Sequence, residues 1–208
     1  MTHSIVLKVV VTVVAIVFVL GTWLRDGEPD VSLLRFLSAA SSAVIGLYFV
    51  WDYWLWRTSL LQRLPRVPRN VRGTWQGTLT SFWVDPATQQ RPPAKSVYLV
   101  VHQTASQVVV QLLTDESKSV SAVAFISEVN KSTELAYLYA NRPDMRFEDR
   151  SRVHYGATVL NVAGNPAVRL QGRYWTDRDS KGELCFGVRN SGKLGDDFVG
   201  AVALFCES

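Results

Sequence analysis

Cysteine, histidine and enzyme signatures are all scarce in this chain. Its 208 residues include two cysteines, Cys185 and Cys206, and three histidines, His3, His102 and His154. Two cysteines that far apart build neither a zinc ribbon nor a disulfide framework, so they read as apolar packing residues in a reducing compartment. There is no Gly-x-Ser-x-Gly elbow, no Gly-rich phosphate loop ending in Lys-Ser or Lys-Thr, and no His-x-x-x-His metal pair. His3 precedes the first apolar run and His102 reads as outward-facing beside Gln103. That leaves His154, and a lone histidine more often hydrogen-bonds a ligand than acts as a general base. The expectation is a non-enzyme with no catalytic residue, no metal ligand and no cofactor. The net charge of +4 is concentrated in one short arginine-rich stretch, so polymeric nucleic acid is not an expected partner either.

What the sequence does have is two long apolar stretches at its front, Ile5 to Leu24 and Leu33 to Trp56. Each reaches the roughly 20 residues with which a helix crosses about 30 Å of hydrocarbon. The first could instead be a secretory signal behind Lys8, but a signal's apolar region runs about 7–15 residues, and this one continues to Trp23 and Leu24. With the polar turn Arg25 to Asp30 between them, the stretches read as a transmembrane helical hairpin over residues 1–57. An Arg/Pro-rich juxtamembrane linker follows over residues 58–72. Arg57, Arg63, Arg66, Arg69 and Arg72 outweigh the connector's single Arg25. By the positive-inside rule both termini and everything after the linker are therefore cytoplasmic, and the lipids of the membrane are the first partner. Trp51, Tyr53, Trp54 and Trp56 make the interfacial belt. In the second span Ser38, Ser42 and Gly46 recur every four residues. That small face suits close packing, against the first helix or against another protomer in a homo-oligomer.

From residue 73 to 208 the period changes to two, with β-branched and aromatic residues between short turn signals. Strands are expected at Thr74–Val84, Lys95–Gln103, Gln107–Leu113, Ser119–Val129, Thr133–Asn141, His154–Val162, Ala167–Thr176 and Gly182–Arg189, with Phe198–Phe205 as a further strand. Short connections make consecutive strands antiparallel. An up-and-down antiparallel meander of about eight strands closes most naturally into a barrel, which leaves no free edge. Gly73-Thr74-Trp75 resembles the Gly-x-Trp entry of lipocalin-like barrels, where the tryptophan closes the floor.

Strand direction then sorts the residues. Trp83, Thr114, Ser119, Asn141, His154 and Thr176 fall at the mouth remote from the first strand's start, together with the long connections Asp85–Ala94 and Arg142–Val153. Alternation gives faces that turn from apolar to polar toward that mouth: Val168, Leu170, Gly172, Tyr174, Thr176; Leu135, Tyr137, Tyr139, Asn141; and His154, Gly156, Thr158, Leu160 in reverse. Ser119 and Ser121 lead to Val123 and Phe125 in the same way. A barrel of eight strands has room for packed side chains or for one small ligand. Guanidinium groups at the mouth (Arg142, Arg146, Arg150, Arg152 and Arg178) grip phosphates in pairs of hydrogen bonds, and Tyr139, Tyr155, Tyr174 or Trp83 can stack on bases. A small nucleotide fits that chemistry. An apolar ligand in a membrane-tethered lipocalin-like carrier, or a ligand-free scaffold, are the other two readings.

The order of parts resembles the SMODS-associated two-transmembrane β-strand-rich effectors of bacterial cyclic-oligonucleotide-based anti-phage signalling (CBASS). The resemblance is carried by Gly73-Thr74-Trp75-Gln76-Gly77, Tyr137-Leu138-Tyr139-Ala140-Asn141-Arg142-Pro143, His154-Tyr155-Gly156-Ala157-Thr158 and Gly172-Arg173-Tyr174-Trp175-Thr176-Asp177-Arg178. It implies a barrel that binds a cyclic dinucleotide made by a partner nucleotidyltransferase, and membrane segments that assemble and breach the inner membrane, killing the infected cell. It also implies ligand contacts at Tyr139, Asn141, Arg142, His154, Tyr174, Thr176 and Arg178.

Overall fold

The computed structural model describes residues 31–64, 67–129, 132–147 and 152–206, with scattered positions between 11 and 23. The chain divides into two compact units, Met1–Thr58 with Thr104–Ser106, and the remainder.

In the first unit, helix α1 spans Val31–Tyr53 and passes into a tight helical turn at Leu55–Arg57. Arg35, Asp52 and four serines interrupt its apolar sequence, and among the described residues no helix is long and apolar enough to cross a membrane. Most of the first apolar stretch lies outside the described residues. Asp52 is buried; its Oδ1 accepts the Ser106 N–H at 2.8 Å and its carbonyl accepts the Ala105 N–H at 3.0 Å. Ser38, Ser42 and Gly46 are all exposed, and a methyl group added at Gly46 would meet nothing.

The second unit is an eight-stranded antiparallel barrel. Its strands are β1 (Gly73–Ser81), β2 (Lys95–Gln103), β3 (Val108–Leu113), β4 (Ser117–Val129), β5 (Ser132–Pro143), β6 (His154–Ala163), β7 (Arg169–Thr176) and β8 (Lys181–Asn190). Each strand pairs with its sequence neighbour, and β8 closes on β1 through a ladder from Thr74↔Asn190 to Ser81↔Gly182. Among the described residues no ninth strand joins it. Phe198–Phe205, expected as a strand, forms helix α2 (Phe198–Cys206). Asp197 begins it, its carboxylate accepting the Gly200 N–H at 2.7 Å as a helix cap does. Phe198, Val202 and Phe205 stand three to four residues apart, and with Ala201 they cover Tyr98, Val100 and Leu113 on the barrel's outer wall.

The core fills the lower half of the barrel with Trp75, Leu99, Val101, Val110, Leu135, Leu160, Leu170 and Phe186. Trp75 closes this floor, fully buried, its indole N–H donating to the Val71 carbonyl at 2.9 Å. Arg189 lies over its ring, 5.0 Å from the centroid, and its guanidinium donates to the carbonyls of Asn70, Arg72 and Ala167 and to Asn70 Oδ1. The linker is thereby tied to the barrel's base. Gln62 adds to this, donating to the Pro68 carbonyl and accepting the Asn70 N–H.

One expected face is wrong. In β4 the register slips between Ser121 and Val123, which pair with Tyr139 and Leu138, leaving Ala122 as an extra residue. A bulge of one residue inverts every side chain beyond it. Val123 and Phe125 are thus exposed, and Ala124 and Ile126 pack inward in their place.

Candidate functional site

Above the packed floor the barrel is hollow. A cavity of about 440 Å³ opens at the end remote from Trp75, and all eight strands supply its wall. That volume lies within the roughly 300–1,000 Å³ of ordinary ligand sites. The reason is the sequence gradient: inward positions are apolar below and small or hydroxylated above, so the upper layer leaves space unfilled.

Six of the seven residues expected to touch ligand line this one cavity. Tyr139 and Asn141 come from β5, His154 from the start of β6, Tyr174 and Thr176 from β7, and Arg178 from the β7–β8 turn. Arg142 does not. It follows inward-facing Asn141, so alternation turns it outward, exposed and paired across the sheet with Lys118. Trp83, Thr114 and Ser119 reach the cavity as their placement at the mouth predicts. Arg146 is exposed beside the Phe147 ring, and Arg150 lies outside the described residues.

Hydrogen bonds fix the rim. Thr176 Oγ1 meets Ser180 Oγ at 2.9 Å and accepts the Arg178 N–H at 3.2 Å. The Arg152 carbonyl accepts from Arg178 Nη2 at 3.3 Å and lies 3.1 Å from His154 Nδ1. One loop carbonyl thus orients both the guanidinium and the imidazole. Ser119 Oγ donates to Asn141 Oδ1 at 2.6 Å across the β4–β5 ladder.

Burial raises the Tyr139 and Tyr174 phenols above their ordinary range, so both remain neutral hydroxyls at physiological pH. Below them burial raises Tyr137 likewise. Among the described residues, neither the Tyr137 hydroxyl nor Thr158 Oγ1 has a partner at hydrogen-bond geometry. An unpaired buried hydroxyl is costly, and Thr158 forms part of the cavity wall.

Sequence reasoning missed the Lys95–Glu116 ion pair at 2.8 Å, which also lines the mouth. The signal was present, since Lys95 begins the strand after the long mouth connection and Glu116 sits in the β3–β4 turn. Among the described residues no group of His, Cys, Asp and Glu is arranged to hold a metal ion. A larger hollow of about 720 Å³ lies outside the barrel over β6–β8, but outward-pointing Asn161, Arg169, Gln171, Arg173 and Trp175 form much of it. It has no enclosing wall from the other strands. The inner chamber, with convergent donors and acceptors, is the better candidate.

CD-NTase-associated protein 15 of Staphylococcus schleiferi is 30% identical over 131 residues, covering 63% of this chain. The match spans 65% of that relative, a little under two thirds of its length. Residues 66–187, over half of the chain and nearly all of the barrel, match the family described as Cap15, cyclic dinucleotide receptor domain, and the chain accordingly belongs to this receptor family of cyclic-oligonucleotide-based anti-phage signalling.

Proposed function

We propose that this chain is a membrane effector of anti-phage defence. A cyclic dinucleotide from a partner nucleotidyltransferase enters the mouth of the barrel, contacts Tyr139, Asn141, His154, Tyr174, Thr176 and Arg178, and promotes self-association that disrupts the inner membrane. The observation that carries this reading is the chamber, lined mostly by residues with polar groups, on which those six side chains converge. A carrier of apolar molecules calls for an apolar chamber, and a scaffold calls for a filled one.

The membrane hairpin is supported by the two apolar stretches, and its orientation by the arginines that follow them. Self-association is supported by the exposed Ser38–Ser42–Gly46 face, which offers close approach to a second helix. A ligand drives assembly only through tighter binding to the assembling state, by a few kcal/mol for a shift from minor to dominant population. No chemical step is required of the protein, so it acts as a receptor and not as an enzyme.

The test is calorimetric titration of the full chain in detergent with a panel of cyclic dinucleotides. At least one should bind, and Thr176→Ala with Arg178→Ala should weaken it by about tenfold or more, the loss of charge-assisted hydrogen bonds being worth roughly 1.5–3 kcal/mol each. Unchanged affinity in the double variant rejects the site, and no binding by any member rejects the receptor.

A further inference from the structure

Asn141 is a buried side chain of the chamber whose orientation is fixed by a neighbouring strand. It is buried to all but 7% of its surface and faces inward from β5. The carboxamide has two ends, an oxygen that accepts and a nitrogen that donates. The 2.6 Å separation from Ser119 Oγ is the length of an O–H···O bond and shorter than the usual 2.7–3.2 Å of N–H···O. Ser119 therefore holds the oxygen end against β4. The nitrogen end then has two N–H groups and no protein acceptor among the described residues. Yet Nδ2 is not among the sealed, unpaired polar atoms of the interior. It opens on the cavity.

Resting on the receptor reading above, we propose that Asn141, positioned by Ser119, makes this receptor select bases that present a keto oxygen over bases that present an amino group there. The donor sits inside the chamber, whereas the guanidinium of Arg178 is on the exposed rim. Phosphates keep most of their hydration at the rim and lose it inside. The base edge is thus the part of the ligand that meets Nδ2, and the phosphates remain with the arginine. An amino group opposite Nδ2 sets donor against donor and leaves both without a partner.

Two matched pairs of probes isolate this single group: cyclic di-UMP with cyclic di-CMP, and cyclic di-IMP with cyclic di-AMP. Members of each pair share ring size and phosphate geometry, and differ by keto against amino at pyrimidine C4 or purine C6, with the ring-nitrogen proton that accompanies it. In the full chain in detergent, the keto member of the tighter-binding pair should bind about tenfold more tightly. Asn141→Asp replaces the inward donor by an acceptor and should reverse the preference, whatever it does to absolute affinity. Ser119→Ala releases the amide to turn over, and should bring the two members to within about threefold. Because each ratio is read within one protein preparation, partial loss of folding cannot imitate it. Equal affinities within both pairs, or an Asn141→Asp variant that weakens all probes by one factor, would place Nδ2 on a phosphate and overturn this selection while leaving the receptor intact. Failure of all four probes to bind overturns this selection, and failure of every member of the wider panel overturns the receptor as well.

Discussion

Replacing Arg189 by Met removes the group that locks the barrel's floor and keeps its apolar stem. The guanidinium serves three backbone carbonyls and one side-chain oxygen and stacks on Trp75. Removing a hydrogen-bonding partner from half-buried groups costs about 1 kcal/mol each, and the cation–π contact contributes roughly 1 kcal/mol more. Some of this is offset, because burial disfavours the charged form of Arg189, seen as a lowered pKa. One of the acceptors also regains water once the side chain is shortened. The net expectation is a loss of about 3 kcal/mol, a fall in melting temperature of roughly 10 °C for a domain of this size. Arg189→Lys keeps the charge without the planar fork, and should lose about 2 kcal/mol. Tryptophan fluorescence reads both unfolding and the immediate surroundings of Trp75. A fall under about 3 °C in Arg189→Met would refute the latch and leave the floor to apolar packing alone.

Gly156 faces Tyr139 across β5 and β6, and a Cβ there would come within 2.5 Å of the phenol and 2.7 Å of the Trp175 carbonyl. Gly156→Ala should cost about 1–3 kcal/mol as overpacking and push Tyr139 into the chamber, so binding weakens along with stability; an unchanged dissociation constant would show that Tyr139 yields elsewhere. The phenols give a pH prediction: with folded pKa values of Tyr137, Tyr139 and Tyr174 raised, their contribution is complete below the unfolded value of about 10 and is lost as pH rises past it. Melting temperature should therefore drop between pH 9 and 11, less so in Tyr137→Phe, which also removes an unpaired hydroxyl at no loss near pH 7; a pH-independent melt would contradict this.

The barrel was legible because its strands alternate cleanly and its turns are short, so both ends of seven of the eight strands follow from period two to within about two residues, and only the end of β1 falls further off, at Ser81 and not Val84. What escaped was what alternation does not encode. The bulge at Ala122 leaves no trace in composition, since Val123 and Phe125 look like core residues; hydrogen bonding of the Val110 N–H to Ser121 Oγ at 2.9 Å marks the place where the ladder breaks. Phe198–Phe205 is as apolar as any strand, and only Asp197 ahead of it, with apolar residues three and four apart, signals a helix. At the site, the shared mouth of Asn141, His154 and Thr176 followed from strand direction alone. The outward turn of Arg142 was available from the same alternation that placed Asn141, and grouping it with the other mouth arginines by charge obscured that.

The barrel separates its two tasks along its axis, and this has a thermodynamic consequence. The floor, with Trp75, Arg189 and the linker carbonyls, is closed and fully bonded. The mouth keeps unfilled volume and an open amide, each a cost to the empty protein that a ligand can recover. Groups at opposite ends share no partner, so their effects should add to within about 0.5 kcal/mol. Arg189→Met should lower the melting temperature and leave the ligand's dissociation constant within about twofold. Thr176→Ala with Arg178→Ala should do the reverse, and the triple variant should show both changes undiminished. Melting with and without ligand reads the two quantities from one sample, because stabilisation grows with ligand concentration over the dissociation constant. If Arg189→Met instead weakened binding tenfold, floor and mouth would be one cooperative unit, and the chamber would depend on the latch for its shape.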